Sequence, residues 1–342
     1  MTSFIPVPQQ HGENFNLSAR ISRIALETWT PTTFDQWTVH TFIDVDFISG
    51  PDQSFSGGSN FFRLRNAFAD FGYFRLGQQN TVFQDSTAWP STVDFAGPRG
   101  IISLRVPEAR VTIPLCDKVY WATGIEQPFS DITTNGLGQN AQDVPDFDTH
   151  LRYQGDFGHV QLSSVFRSIE FRPTVGATQR DFGWGLSASG VVHPWALLIG
   201  SNPVRKDNPT GLERSRILVQ YNVGKGIGRN IDDLLGFGLD GQVDPATGQL
   251  HTVYASGWTA SYEHWLNEKW LANFTYSGVL TGSAPDQPGD TYDGAKYLAV
   301  SLWYIPVRNL STGIEYLYGE RRDLDGERAK ANRVNALFQY NF

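Results

Sequence analysis

A regular alternation of large apolar residues with polar or small ones runs through residues 61–113. In its first part, Phe62, Leu64 and Phe68 alternate with arginines and small side chains, which is the period of two expected of a strand with two different faces. A tight reversal at Gly72 and a second alternating run follow. After a long polar stretch the alternation resumes, so the pattern predicts strand, turn, strand, long loop, strand.

The polar face of these predicted strands is rich in arginine, which is unusual for a soluble sheet whose apolar face packs on a core. A transmembrane β-barrel inverts that arrangement, because its apolar residues face lipid and its polar residues face a watery lumen. The segment between the second and third strands, residues 80–100, is polar and is interrupted by Pro90, Gly97, Pro98 and Gly100. We predict that this segment folds into the lumen as a constriction loop.

Alternating segments recur along the whole chain, and long and short connections between them alternate, as in outer-membrane barrels. About fifteen strands are predicted, at residues 15–28 (with a bulge near Arg23), 37–47, 61–71, 73–79, 103–113, 119–126, 147–154, 160–166, 182–188, 217–223, 252–265, 270–280, 296–305, 311–320 and 332–342. The predicted fold is all-β, a transmembrane antiparallel β-barrel of porin type, with residues 1–342 as one domain. Bacterial single-chain barrels have even strand numbers, so we expect a truncated N-terminus and sixteen strands in the intact protein.

The last predicted strand is the most specific sign of such a barrel. Val334, Phe338 and Tyr340 alternate with polar residues and the chain ends on Phe342, which resembles the recognition signal of outer-membrane barrels. The alternative is an ordinary edge strand, although exposed edges favour aggregation in soluble proteins. Other aromatic residues near strand ends suit interfacial girdles, or else the core of a soluble β protein. They are Trp29, Trp121, Trp265, Trp270, Trp303, Tyr304, Tyr316 and Tyr318.

The composition argues against several other classes of protein. The chain has 342 residues and a formal net charge of -8, which argues against nucleic acid as a partner. No run approaches the roughly 18 apolar residues of a spanning helix, so any membrane segment must be a strand. Cys116 is the single cysteine, so it can form no intrachain disulfide and no metal cluster. The first residues lack the basic and apolar regions of a signal peptide.

Arginines on the polar faces are the candidate functional residues. The predicted inward-facing set is Arg20, Arg63, Arg65, Arg75, Arg105, Arg110, Arg152, Arg167, Arg216 and Arg333. Together they would form a positive wall that attracts anions and discriminates between solutes. The alternative is that lumen acids neutralise them by ion pairing. We predict pore-lining or solute-binding roles for Arg63, Arg65, Arg75, Arg105, Arg110, Arg152, Arg167, Asp85 and Asp94.

The negative net charge does not by itself oppose an anion channel. Many acids fall in the predicted long loops, where water and salt would screen them over a Debye length of about 8 Å. They are Asp131, Asp143, Asp146, Asp232, Asp233, Asp240, Asp286, Asp290, Asp323, Asp325 and Glu327. The arginines, in contrast, are predicted to lie beside the constriction, where a narrow lumen concentrates their field.

No catalytic or metal-binding constellation can be assembled from the sequence. His40, His150 and His159 fall on polar faces, but no Ser or Cys partner can be placed beside them. Residues 224–228 lack the spacing of a phosphate-binding loop, and residues 323–327 have their glycine at the wrong position for a calcium loop. We interpret both segments as surface loops, and we predict no catalytic residue, no metal and no cofactor.

Several segments resemble one family of porins over nearly the whole chain. Residues 74–85 (FRLGQQNTVFQD) and 93–98 (VDFAGP) look like the constriction region of the DcaP-like trimeric porins. Further similar segments are residues 18–23, 224–229, 313–319 and 331–342. The resemblance implies a 16-stranded barrel, a trimer, and diffusion of small, often anionic solutes such as carboxylates. The family's helical N-terminal stalk and first strand are absent here, and Asn230 stands where an aromatic residue is expected.

These patterns predict a bacterial outer-membrane porin without catalysis. The expected partners are small anionic solutes, outer-membrane lipid and lipopolysaccharide, and further copies of the chain in a homotrimer, with no nucleic acid. Two other classes stay open at this point. An outer-membrane barrel enzyme, such as a lipase or protease, would need a nucleophile, a base and oxyanion donors at one rim. A soluble all-β binding protein would lack the heat-modifiable gel migration of a barrel in detergent.

Overall fold

The computed structural model describes residues 2–10, 12–34, 37–49, 61–204, 210–285 and 287–342. Asp286, one of the acids assigned above to a long loop, lies outside these residues. Two short α-helices, α1 (Pro194–Ile199) and α2 (Gly211–Arg214), are accompanied by single 3₁₀ turns at Thr2–Phe4, Ser86–Ala88 and Gly228–Asn230. In the ranges described, none of the helices is long and apolar enough to cross a lipid bilayer.

The rest of the regular structure is β-sheet. The strands are β1 (Ile24–Pro31), β2 (Thr38–Ser49), β3 (Phe61–Phe71), β4 (Phe74–Asn80), β5 (Arg105–Cys116), β6 (Val119–Glu126), β7 (Ile132–Thr133), β8 (Gly138–Ala141), β9 (Asp146–Gly155), β10 (Gly158–Pro173), β11 (Gln179–Val192), β12 (Arg216–Lys225), β13 (Gly241–Val243), β14 (Leu250–Thr252), β15 (Tyr254–Trp265), β16 (Trp270–Thr281), β17 (Tyr292–Val307), β18 (Leu310–Asp323) and β19 (Arg328–Tyr340).

One large antiparallel sheet follows the order of the chain. Within the described residues it runs β1–β6, β9–β12 and β15–β19, with β8 added beside β10. The fifteen strands of this path agree with the number predicted from the alternation. A separate small sheet contains β14, β13 and β7. Two-residue turns join β3 to β4, β5 to β6, β9 to β10 and β17 to β18, whereas long loops stand at the opposite end of the sheet.

The two faces of the sheet are inverted relative to a soluble protein. In β16, the side chains of Phe274 and Tyr276 are 50% and 45% exposed, while Asn273, Thr275 and Ser277 are fully buried. The same alternation of exposed apolar and buried polar residues recurs in β10, β11 and β17. These buried polar side chains bond in part to one another, since Asn273 and Thr275 both bond to Ser261 Oγ of the neighbouring strand.

A β-bulge changes the phase of β3, and the sequence pattern missed it. The pairing between β2 and β3 shifts register between Asp44 and Val45, so that β3 carries one extra residue near Arg65. Phe62 faces outward as predicted, but Phe68 faces the polar side, 4.0 Å from the guanidinium of Arg75. Because a bulge re-aims the residues that follow it, a strict period of two does not hold through this strand.

The first strand is shorter than the sequence predicts. Ladder pairing with β2 covers Ile24–Pro31, and residues 12–23 form no strand. Phe15 and Leu17, whose alternation suggested one, are 80% and 82% exposed. Alternation alone does not make a strand, because the backbone groups also need a neighbouring ladder. In the described part of the chain, the backbone contact of this segment with β2 is one bond from Phe47 N to Arg20 O, 3.0 Å long.

Candidate pore constriction

Residues 81–104 connect β4 to β5 and lie against the polar face of the sheet. The loop begins at a buried carboxylate of β6, because Glu126 Oε1 accepts bonds from Val82 N at 2.8 Å and Thr81 Oγ1 at 2.9 Å. The Nδ1 atom of His150, on β9, lies 2.7 Å from Val82 O. Side chains of two neighbouring strands therefore fix the point at which the chain leaves the wall.

Asp85 attaches the next part of the loop to β9 and to two further strands, β10 and β11. Its Oδ2 atom lies 2.7 Å from His159 Nε2 and accepts a 2.7 Å bond from Ser189 Oγ, and its Oδ1 atom lies 3.2 Å from Arg152 Nη1. Burial alone would raise the pKa of Asp85, but the hydrogen bond and charge of His159 and the bonds from Thr87 and Ser189 outweigh it and lower that pKa. Asp85 therefore stays ionised.

Two buried glutamates of the opposite wall hold the middle of the loop. Glu263 Oε1, on β15, accepts a bond from Ser91 N at 2.7 Å. The two oxygens of Glu315, on β18, accept bonds from Val93 N and Asp94 N, both at 2.7 Å. Backbone N–H groups in a buried loop must be paired with something, and here wall carboxylates take the place of a neighbouring strand.

Asp94 and Arg99 form a buried ion-pair chain in the second half of the loop. Asp94 lies 3.0 Å from Arg99 and 2.7 Å from Arg333 of β19, and Arg99 also lies 3.0 Å from Asp232. Burial opposes ionisation of both groups, but Arg99 and Arg333 lower the pKa of Asp94, and Asp94 and Asp232 raise the pKa of Arg99.

The loop returns along the wall in direct backbone contact. Gly100 N donates to Ser277 Oγ and Gly100 O accepts from Asn222 Nδ2, both at 2.8 Å. A Cβ atom added to Gly257 on β15 would lie 2.5 Å from Gly100 O. Glycine is therefore required at this crossing, because any side chain would separate the loop from the sheet.

A second loop, residues 226–253, packs against the first on the polar side of the sheet. Ile102 forms an antiparallel bridge with Ile231, and Phe83, Ile227 and Leu234 are fully buried around it. The interpretation of residues 224–228 as a surface loop is therefore wrong. The two loops share an apolar cluster with the wall, consisting of Phe83, Ile102, Val165, Ile227, Ile231, Leu234, Leu239, Ala255, Val279, Tyr292 and Ala295.

Buried ion pairs attach this second loop to the strands. Arg167 of β10 lies 3.0 Å from both Asp146 and Asp240, and Arg229 also pairs with Asp146. Arg167 is 3% exposed, so its guanidinium has no open side for a solute. Asp131 is also buried, and its carboxylate accepts bonds from the backbone of the second loop. The expectation that these loop acids are screened by surrounding water is therefore wrong for Asp131, Asp146, Asp233, Asp240 and Asp323.

Thr2, Ser3 and Ile5, near the start of the chain, add a third segment to the interior. Thr2 Oγ1 and Ser3 Oγ donate to the carboxylate of Asp233, at 2.5 and 3.1 Å. Arg321 Nη1 of β18 donates to Ser3 O at 2.8 Å. Tyr292 OH bonds to the same Asp233 at 2.9 Å, so this carboxylate joins the first residues of the chain, the second loop and β17.

Arg63 and Arg65 of β3 share two carboxylates of β2. Arg63 Nη2 lies 2.5 Å and Arg65 Nη1 lies 2.8 Å from the same oxygen of Asp46, and Arg65 Nε lies 3.3 Å from Asp44. The Arg63 side chain is 38% exposed, whereas that of Arg65 is 5% exposed. Arg63 is therefore the member of the pair that an incoming anion can contact.

Two more arginines stand beside this pair without an ion pair of their own in the described residues. Arg105, the first residue of β5, is close enough to Arg23, Arg63 and Arg65 to sense their charges. The guanidinium carbons of Arg23 and Arg65 lie 5.7 and 5.6 Å from the ring centre of Phe95, in the loop. Four guanidinium groups thus face the two carboxylates described above, which leaves a surplus of two positive charges. We call Arg23, Arg63, Arg65 and Arg105 the arginine cluster.

The remaining arginines of the predicted pore-lining set are each matched by a carboxylate, whereas Arg20 of the wider inward-facing set donates to the backbone oxygens of Phe47 and Ile48. Arg75 pairs with Asp70, and the Arg75 side chain is 31% exposed. Arg110 Nε lies 2.8 Å from Glu108, and Arg152 pairs with Asp85 as described above. The structure thus brings Arg63, Arg65 and Arg105 together, and places Arg75, Arg110 and Arg152 in separate pairs. Their role in solute binding stays a prediction.

Sequence reasoning missed Arg23 and Phe95 as parts of this cluster. Arg23 lies at the point where the alternation of the first strand loses its phase, and Phe95 lies in a loop with no periodicity. Neither position carries a local signal, because both reach the cluster through long-range packing. In the described part of the chain, no group of three or more His, Cys, Asp or Glu side chains is arranged to hold a metal ion.

No protein-family model and no curated protein sequence matches this chain. Solved structures do match it. The outer membrane channel DcaP of Acinetobacter baumannii shares 18% identity, with 95% of this chain and 86% of that one covered and a TM-score of 0.78. An anion-selective porin from Comamonas acidovorans shares 8% identity, with 93% and 87% covered and a TM-score of 0.55. OmpT, an outer membrane protein of Vibrio cholerae, shares 10% identity, with 94% and 89% covered and a TM-score of 0.54.

At these identities the similarity shows a shared fold. The chain has the antiparallel β-barrel fold of these outer-membrane porins and channels, as the alternation predicted. The channel DcaP is also the protein after which the DcaP-like porins of the sequence resemblance are called.

Proposed function

We propose that this protein is a porin of the bacterial outer membrane and a passive diffusion channel for small, preferably anionic solutes such as carboxylates. Its outward face carries Phe62, Leu76, Leu162 and Phe274 at 50 to 67% exposure, which suits contact with lipid hydrocarbon. A soluble all-β binding protein would leave this apolar surface in water, where it favours aggregation. The similarity to an outer membrane channel and to porins supports the same location.

The single observation that carries the proposed preference for anions is the surplus charge of the arginine cluster. The hydrogen bonds of the constriction loop go to β6, β9–β12 and β15–β19. In the described residues, the side of the loop that faces β2–β5 makes no such bonds, so the polar side chains of these four strands face the free side of the loop. We place the solute path there, between Phe95 and the wall that carries Arg63 and Arg75. A planar guanidinium fork binds a carboxylate through two parallel hydrogen bonds, and a narrow lumen concentrates the field of its lining.

A channel needs no catalytic group, and the histidines do not suggest one. The Nε2 atom of His159 faces both Asp85 and Thr87 Oγ1, and Ser189 donates to Asp85 instead of the imidazole. A nucleophile, a base and an orienting acid would have to form one chain of bonds. We also propose a homotrimer, on the grounds of the DcaP-like resemblance and of a trimer form among the similar structures.

The test is the ion preference of the channel in a planar lipid bilayer. Replacing Arg23 and Arg105 together with Gln removes the two arginines that lack an ion pair in the described residues and leaves the pairs of Arg63 and Arg65 intact. In a salt gradient, the reversal potential of this variant should move toward cation preference, and its uptake of dicarboxylates in liposomes should slow down. A parent channel that already prefers potassium over chloride would refute the anion proposal.

A matched control removes two charges outside the lumen. Arg172 and Arg180 lie on the outward face at the long-loop end, where they pair with Asp143 and Glu170. Replacing both with Gln should leave the reversal potential unchanged, because the low-dielectric wall and the surrounding salt separate them from the lumen. An equal shift in both variants would mean that net charge, and not the arginine cluster, sets the preference.

A further inference from the structure

Basic side chains gather on the outward face where β17, β18 and β19 meet the long loops. Lys296, Glu320 and Lys330 are direct neighbours across these three strands. Arg328 lies opposite Arg322, two ladder pairs nearer to the loop and on the same face of the sheet. These side chains point away from the lumen, because the residues between them along the strands, such as Tyr297 and Gly319, face the buried side.

The charges of this cluster do not balance. Glu320 is the one carboxylate shared by Lys296 Nζ at 3.7 Å, Arg328 Nη1 at 3.6 Å and Lys330 Nζ at 3.9 Å. All three distances exceed hydrogen-bond length, and the three basic side chains are 52 to 59% exposed. Arg322 is neutralised separately by Asp293, at 2.5 Å. Among the residues that the structure describes, three cations therefore share one anion, which leaves a surplus of two positive charges.

The surface below the cluster changes from aromatic to aliphatic. Tyr318 OH donates to Glu320 at 3.0 Å, and Tyr316 OH donates to Asn332 at 2.7 Å. Farther from the long loops, Ile314 and Val334 are 55% and 68% exposed. This order of cations, tyrosines and aliphatic residues follows the order of lipid headgroup, interface and acyl chain in a membrane.

We propose that Lys296, Arg328 and Lys330 form a binding site for the phosphate groups of an outer-leaflet glycolipid of the lipopolysaccharide class. This proposal rests on the outer-membrane location given under the proposed function. The acyl chains of the glycolipid lie against the apolar band, and the phosphates of its headgroup replace Glu320 as the main partner of the three cations. Basic clusters at a membrane surface attract anionic lipid headgroups in this way, and phosphate oxygens accept strong charge-assisted hydrogen bonds from Lys and Arg.

The chain supplies its own control for this site. Arg172 and Arg180 lie on the outward face of β10 and β11 near the loop that joins these strands, with 50% and 51% exposed side chains. They pair with two carboxylates, Asp143 and Glu170, so this second cluster has no surplus charge. A site that needs surplus charge should form at the first cluster and not at the second.

The experiment measures binding of fluorescent lipopolysaccharide to the full chain in detergent. Replacing Lys296, Arg328 and Lys330 together with Gln should weaken binding by roughly tenfold or more, because each charge near such a surface contributes about a factor of five. The Arg172→Gln, Arg180→Gln control should change it by less than about twofold. Glu320→Gln should tighten binding, because it raises the surplus charge while preserving the size of the side chain.

Chemically dephosphorylated lipopolysaccharide and inorganic phosphate distinguish the sources of the ligand. The dephosphorylated glycolipid should bind the parent as weakly as native lipopolysaccharide binds the triple variant. Inorganic phosphate alone should not displace the bound glycolipid, and displacement would mean a free-phosphate site instead. Equal binding by parent and triple variant overturns the proposal. The triple variant should keep the reversal potential of the parent, so a failure here is distinct from a failure of the proposed anion channel.

Discussion

At the scale of single residues, the chemistry of this barrel depends on which arginines keep an open side. Arg63 and Arg167 both alternate with apolar residues in the sequence, yet their side chains are 38% and 1% exposed. The difference comes from the second loop, whose Asp240 closes over Arg167. The alternation correctly predicted that both side chains face inward. It carries no information about which other segments pack against the inward face of the sheet.

Asp232 gives a prediction about pH at the same scale. Burial and the neighbouring Asp233 outweigh the attraction of Arg99 and raise the pKa of Asp232 to about 6. An unfolded Asp has a pKa near 3.9, so the folded state binds the proton more tightly. This contribution to stability is therefore full below about pH 4 and is lost as the pH rises through about 6.

Asp232→Asn mimics the protonated form and should remove that loss. We expect the variant to unfold at a higher temperature than the parent at pH 8 and at the same temperature near pH 4, as followed by heat-dependent gel migration in detergent. If the unfolding temperatures of parent and variant depend on pH in the same way, the pKa of Asp232 is not raised by folding and the prediction is wrong. Asp85→Asn is a useful comparison, because the lowered pKa of Asp85 predicts no gain at pH 8.

At the scale of elements, the constriction loop has little regular structure of its own and takes its shape from the wall. Carboxylates of β6, β15 and β18 pair with its backbone N–H groups, and an apolar cluster seals it against the second loop. The prediction of a long loop between β4 and β5 was correct in position. Its path could not be derived from the sequence, because each partner lies far away along the chain.

Gly257→Ala tests whether the wall contact determines the position of the loop. The new methyl group would lie 2.5 Å from Gly100 O, well inside van der Waals distance, so the loop must move away from β15. We expect a higher and noisier single-channel conductance in planar bilayers, with the barrel still folded. Gly12→Ala is the control, because a Cβ atom there meets no atom within 4 Å, and its conductance should match the parent's.

At the scale of the whole molecule, the barrel interior is a packed structure in its own right. The two loops and Ile5 bury apolar side chains on the polar side of the sheet, so apolar residues are packed on that side as well as exposed on the outward face. This explains a negative mean hydropathy of -0.31 alongside a substantial apolar cluster. Many buried polar side chains of the wall bond to the loops or to one another, although neither carboxylate oxygen of the fully buried Asp148 has a hydrogen-bond partner among the described residues.

Deleting residues 85–97 should therefore do more than widen the pore. The deletion removes the loop N–H groups that bond to Glu263 and Glu315, which leaves Arg216 and Asn335 as partners of these carboxylates in the described residues. It also removes Phe95 from the arginine cluster. We expect larger single-channel conductance together with a weaker preference for anions. Removing the exposed residues 175–177 between β10 and β11 is the control. Unchanged conductance after the first deletion would place the loop outside the solute path.

The sequence by itself determined the inverted faces, the path of fifteen strands and the position of the long loop between β4 and β5. These features depend on a period of two and on turn composition, which are local properties. Only the tertiary structure decided the bulge near Arg65, the inward course of residues 226–253, and the meeting of Arg23, Arg105 and Phe95. Each of these depends on contacts between distant segments, whose free energies cannot be read from the residues adjacent in the chain.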